Sequence, residues 1–167
     1  MYIQKFESFR SKDYLYHTTH IVYVRKILIS NKLISSLTSE NACSRDFECV
    51  SLTRDDKLFY DNQPIRFKLN RNKLESKYDM ESYIDPIFNG IDMENEEIIR
   101  EDIKPLDTYL ESIKFNPNEY YEMGDIDMIY GELNEYITKY KISFQILIDG
   151  VFVESGIDDI LKYDKEI

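Results

Sequence analysis

The chain has 167 residues, enough for one domain spanning 1–167, and its 43% hydrophobic and 14% aromatic content excludes wholesale disorder. Five glycines and four prolines exclude collagen-like and linker-dominated architectures. The net charge of −11 argues against sequence-blind nucleic-acid binding, although it divides unevenly: residues 1–74 carry +5, residues 75–135 carry −14 and residues 136–167 carry −2.

Taken in chain order, Tyr14-Leu15-Tyr16-His17-Thr18 alternates like a strand. Ile21, Val24, Ile27 and Leu28 then recur at helical spacing, with Thr18 or Thr19 suited to cap the start and Asn31 to stop the helix. Ser35 to Asp46 is polar and is expected to be a mobile loop. Cys49-Val50-Ser51-Leu52-Thr53 predicts a second strand, with Val50 and Leu52 on one face and Ser51 and Thr53 on the other. Ile65-Arg66-Phe67-Lys68-Leu69 alternates more cleanly and predicts a third, with Asn70 to Leu74 turning out of it.

Pro86 discourages a continuous helix through the tyrosine- and acid-rich Ser76–Asn89. Glu96-Glu97-Ile98-Ile99-Arg100 predicts a fourth strand. Leu106, Tyr109, Leu110 and Ile113 form a stripe at helical spacing behind Pro105, which predicts a helix there. A second helical region is expected within 119–140, interrupted by Gly124 and Gly131. Ile142–Ile148, Asp149-Gly150 and Val151–Val153 read as a hairpin closed by a type I′ turn. Short strands among modest helices, without a regular βαβ rhythm, favour the α+β class.

Cys43 and Cys49 have a spacing that suits no zinc pairing, and reduced thiols are the expectation. MYIQKFESFR lacks the apolar stretch of a signal peptide, and no apolar run approaches the roughly 20 residues of a membrane span. A soluble, cytoplasmic protein that does not enter membranes is therefore expected. Neither G-x-G-x-x-G nor a P-loop occurs, so nucleotide binding through those devices is excluded.

Three segments carry the candidate chemistry. Tyr16-His17-Thr18-Thr19 closes a strand before a helix, Ser51-Leu52-Thr53-Arg54-Asp55 places two hydroxyls on one strand face with an Arg at its exit, and Glu94-Asn95-Glu96-Glu97 opens a carboxylate-rich strand. In order and spacing, over roughly residues 14–113, they resemble the ADP-ribosyltransferase-like superfamily, in particular its small bacteriophage members. The opening is similar to that of the DNA-targeting ADP-ribosyltransferase toxins. The resemblance implies an α+β split β-sandwich of short strands with flanking helices. It also implies NAD as substrate and transfer of ADP-ribose to a host macromolecule, with protein favoured over DNA by the −14 segment.

In that chemistry a Glu beside the ribose steadies the positive charge that develops as nicotinamide leaves. Glu96, the second acid of Glu94-Asn95-Glu96, is the favoured carboxylate, and Glu97, on the other face of the strand, is the fallback. By resemblance His17 and Thr18 hold NAD, Ser51 and Thr53 line the pocket, Arg54 meets phosphate, and Tyr60 is by position the tyrosine that stacks on nicotinamide. Tyr78, Tyr83, Tyr120 and Tyr121 are either further stacking residues or packing. Two other readings stand beside this one. The first is a non-catalytic acidic protein that engages a basic host partner through residues 75–135, and the second is a glycohydrolase that passes ADP-ribose to water.

Overall fold

The computed structural model describes residues 13–35, 48–56, 63–83, 96–120 and 125–163. Among the described residues eight strands, β1 (Tyr14–Thr19), β2 (Val50–Thr53), β3 (Ile65–Asn70), β4 (Glu81–Tyr83), β5 (Glu96–Ile99), β6 (Leu110–Phe115), β7 (Ser143–Ile148) and β8 (Val151–Glu154), join one mixed sheet in the order β4-β5-β2-β1-β3-β6-β7-β8. Every pairing is antiparallel except β6 with β7. The helices are α1 (Ile21–Ser30), the short α2 (Arg71–Glu75) and α3 (Asp125–Tyr140), which makes the crossover that the parallel pair requires. The class is α+β.

Alternation sorts the strand residues into two faces. Leu15, Leu52, Phe67, Leu69, Ile113, Phe115, Phe144 and Ile146 are buried in one cluster with Ile21, Val24, Ile27 and Leu28 of α1 and Ile126, Ile129, Leu133 and Tyr136 of α3. Burying each such side chain contributes about 1.5–3 kcal/mol, which makes this helix-covered face the main source of stability. The opposite face is polar: Tyr14, Tyr16 and Thr18 of β1, Ser51 and Thr53 of β2, Arg66 and Lys68 of β3, and Ser112 and Lys114 of β6.

Several elements follow their expected course. Asn31 ends α1 in the left-handed conformation at φ 51°, and Asp149 (φ 49°) and Gly150 (φ 80°) give the hairpin its two positive φ angles. Others differ. The helix α1 is capped by His20, not Thr18 or Thr19, because β1 runs through Thr19, which pairs with Ile65; the His20 ring accepts from the Val22 amide at 3.3 Å. Asn70 caps α2, its Oδ1 accepting from Lys73 N at 3.0 Å, where only a turn is expected.

The helix expected over Leu106–Ile113 is a 3-10 turn, Leu106–Thr108, followed by the strand β6. The reason lies in a bulge. Lys68 faces Ser112 while the next residue, Leu69, faces Leu110, so Glu111 is the extra residue of β6. The bulge brings Leu110 and Ile113, three apart, to the same face and so imitates helical spacing. The strand β4 carries no apolar alternation and escapes the sequence pattern. Within 119–140, α3 runs uninterrupted through Gly131. The expected loop beyond Ser35, Cys43, Tyr60, Pro86, Glu94, Tyr121 and Gly124 lie outside the described residues. Among those described, no helix is long and apolar enough to cross a membrane.

Candidate functional site

The sheet order brings the three motif-bearing strands together as β5-β2-β1. Thr53 opposes Glu96 on one side and Tyr16 on the other, and Leu52 opposes Glu97. The pleat then divides the candidate residues between the faces. Thr18, Ser51, Thr53 and Glu96 share the polar face, whereas His17 and Glu97 share the helix-covered face. The structure therefore does not gather all of them in one cleft.

On the helix-covered face, His17 is half-buried and its Nδ1 lies 3.1 Å from the Ser51 carbonyl. A carbonyl only accepts, so Nδ1 carries the proton and Nε2 is the acceptor of the neutral ring. Burial holds its pKa below the ordinary 6.5, outweighing the upward pull of the Ser51 carbonyl. The imidazole thus ties β1 to β2 as a neutral group.

Glu97 is 2% exposed. Its Oε1 accepts from the Arg54 guanidinium and forms an ion pair with Arg71 Nη2 at 2.8 Å, while Arg71 Nε donates to Glu75 at 2.6 Å. Arg54, expected to meet phosphate, is instead engaged with a buried carboxylate. Glu97 Oε2 is buried without a hydrogen-bond partner among the described residues. Beside this cluster lies a polar cavity of about 240 Å³, bordered by Arg71, Glu75, Asp79, Ser82 and Glu97.

The polar face holds what sequence reasoning missed. Arg66 is fully buried, its Nη1 donating to the carbonyls of Asp56 (2.6 Å) and Asp55 (3.3 Å), and its guanidinium lies 5.1 Å from the centre of the Tyr16 ring. Lys114 faces Arg66 across the β3–β6 ladder, with its ammonium 4.4 Å from the Phe152 ring centre and 5.5 Å from that of Tyr16. Lys68 stands 3.7 Å over the Tyr14 ring. Burial, then the charges of Lys68 and Arg66, push the Lys114 pKa down to about 8, with Asp56 pulling the other way. For Arg66 and Lys68 the signal was present in the sequence, since they occupy the outward positions of the alternating strand β3, whereas Lys114 lies in β6, whose bulge hides the alternation. Thr53 Oγ1 accepts from the Asp55 amide at 2.9 Å and so shapes the exit of β2.

Tyr78 and Tyr120 are core residues, not stacking platforms. The Tyr78 hydroxyl both donates to and accepts from the Lys104 backbone, and its ring lies 5.5 Å from that of Tyr109; Tyr120 packs on Phe115. Cys49 is buried. Among the described residues no three His, Cys, Asp or Glu side chains gather as metal ligands.

Comparison with protein-family models, with curated proteins and with solved structures finds no match for the chain. The chemistry of the polar face therefore stands on its own residues: a carboxylate at one end of a row of hydroxyls, aromatic rings and cations running across β5, β2, β1, β3 and β6. Such a row can hold an extended ligand with an anionic centre and present a carboxylate to one end of it.

Proposed function

We propose that the protein is an ADP-ribosyltransferase that takes NAD as substrate on the polar face of the sheet. The observation that carries this reading is the direct opposition of Glu96 and Thr53 on adjacent strands, with Ser51 and Thr18 on the same face. Glu96 is the carboxylate that holds the ribose and stabilises the charge developing there as nicotinamide leaves with the bonding pair. The acceptor's lone pair forms the new bond, and its proton passes to Glu96. Thr18, Ser51 and Thr53 supply hydroxyls to the ribose and amide. The buried, doubly paired Glu97 serves the fold, and His17, hydrogen-bonded to Ser51 from the other face, positions β2.

With this reading goes the ADP-ribosyltransferase-like split β-sandwich as the finer description of the α+β domain, and a host protein as acceptor, as the resemblance to bacteriophage members implies. The test is incubation of the chain with labelled NAD and a bacterial lysate, beside Glu96→Ala and His17→Ala. Transfer of label by the wild type and its loss in Glu96→Ala support the reading. Release of free ADP-ribose without a labelled acceptor supports the glycohydrolase instead. Absence of both label and nicotinamide release favours the non-catalytic reading, in which acids of residues 75–135 engage a basic partner.

A further inference from the structure

Three cations of β3 and β6, Arg66, Lys68 and Lys114, stand together on the polar face. Arg66 and Lys114 oppose one another directly across β3 and β6, and Lys68 opposes Ser112 in the adjacent position on the same face. Like charges directly opposite are unfavourable in a sheet, more so when buried, and Arg66 is 0% and Lys114 7% exposed. Among the described residues no carboxylate forms an ion pair with Lys68 or Lys114. Both ammonium groups rest over aromatic rings, Tyr14 and Phe152, which hold a cation without using its directional donors.

A second observation comes from Ser112. Its hydroxyl is buried, the residue 4% exposed, and Oγ has no hydrogen-bond partner among the described residues. It stands opposite Lys68 and two residues before Lys114, on the face of the cations. Glu154, on the same face beyond β7, is already occupied: it accepts from Ser143 Oγ at 2.6 Å and from Gln145 Nε2 at 3.4 Å. Asp56 is the acid that favours the Lys114 charge.

We propose that Lys68, Ser112 and Lys114, with Arg66 beside them, bind a phosphoryl group carried by a small molecule. The two ammonium groups of Lys68 and Lys114 beside one buried hydroxyl donor suit a multiply charged tetrahedral oxyanion better than a planar carboxylate of single charge. Lys68, half-buried, forms the open edge through which the ligand enters. Binding also relieves the opposition of Arg66 and Lys114. This goes beyond the NAD reading, since the diphosphate of a nucleotide and inorganic pyrophosphate offer the same chemistry.

Titration calorimetry on the full chain, in a low-salt buffer free of phosphate and sulfate, tests it with sodium pyrophosphate, ADP-ribose and adenosine. The first two are expected to bind and adenosine not to. Lys114→Met should weaken both by at least about tenfold and Ser112→Ala by about threefold, while the exposed Lys77→Gln leaves them unchanged. Thermal unfolding without ligand shows that Lys114→Met is folded, and added pyrophosphate raises the melting temperature of the wild type only. Equal affinities for pyrophosphate and ADP-ribose assign an inorganic source, and at least tenfold tighter ADP-ribose assigns a nucleotide. Failure of both phosphate compounds to bind, unchanged affinity in Lys114→Met, or adenosine binding as tightly as ADP-ribose overturns the proposal. Pyrophosphate binding without NAD cleavage defeats the NAD reading alone, and NAD cleavage without pyrophosphate binding defeats this one alone.

Discussion

Glu96 and Glu97 are adjacent in sequence and stand on opposite faces of the sheet, Glu96 opposite Thr53 on the polar face and Glu97 opposite Leu52 on the helix-covered face. The pleat alone separates them, and it assigns them different work. Glu97 is buried between Arg54 and Arg71. Removing Glu97 leaves the partly buried Arg54 without its carboxylate and Arg71 with Glu75 alone. Glu97→Ala is therefore expected to lower unfolding stability by about 2–3 kcal/mol, measured in urea, whereas Glu96→Gln should change it by less than about 0.5 kcal/mol.

Lys114 supplies a pH test. Its folded pKa is about 8 against 10.5 for an ordinary lysine, so between these values the unfolded chain holds the proton more tightly. Stability should thus rise with pH from about 8 upward. Lys114→Met should melt higher than the wild type at neutral pH and show a flatter profile above pH 8. The comparison belongs below pH 10, where Tyr109, its folded pKa pushed up to about 12 by burial, starts to contribute the opposite slope.

His17 acts on the acid side. Its folded pKa lies below 6.5, so stability is lost as pH falls through 6.5 toward the folded value, because only the unfolded chain is protonated readily. Melting temperatures measured from about pH 7 down to about pH 5 should fall less steeply in His17→Gln, whose amide can still donate to Ser51.

Asn31 locks the end of α1 to two other elements. Its Oδ1 accepts from the Asp107 amide (3.1 Å) and the Tyr136 hydroxyl (2.5 Å), and its Nδ2 donates to Asp107 Oδ1 (2.5 Å), all from a residue at φ 51°. Asn31→Gly keeps the conformation and loses the bonds, and is expected to cost about 2 kcal/mol. Asn31→Ala should cost about 1 kcal/mol more, because a left-handed alanine is strained. Urea unfolding of both variants separates the two effects.

Gly131 offers the opposite sign. It sits inside α3, and a Cβ built there meets nothing within 4 Å. Gly131→Ala should stabilise the protein by about 0.5–1 kcal/mol, as thermal unfolding would show.

Where local chemistry and long-range pairing agree, the sequence is readable. Asp149-Gly150 marks its turn, Asn31 ends its helix, and β1, β2 and β3 alternate because each has one apolar and one polar face. Reading fails where tertiary contacts decide. The bulge at Glu111 disguises β6 as a helix, and β4 exists through its pairing with β5. At the site, sequence order finds the three strands that become neighbours. It does not foresee that the pleat parts His17 from Glu96, or that Arg54 turns to Glu97. Arg66, Lys68 and Lys114 acquire meaning only when β3 and β6 pair and bring them onto the face of Thr53.

Glu96, on the polar face, is proposed to serve NAD-dependent ADP-ribosyl transfer. The most direct measurement is the rate of nicotinamide release and of label transfer from NAD by the purified chain with lysate acceptors, compared with Glu96→Gln of equal stability. Transfer by the wild type and a loss of about a hundredfold or more in the variant are expected, as for removal of a group that stabilises transition-state charge. A wild type that releases no nicotinamide and labels no acceptor, or a Glu96→Gln variant as active as the wild type, would contradict it.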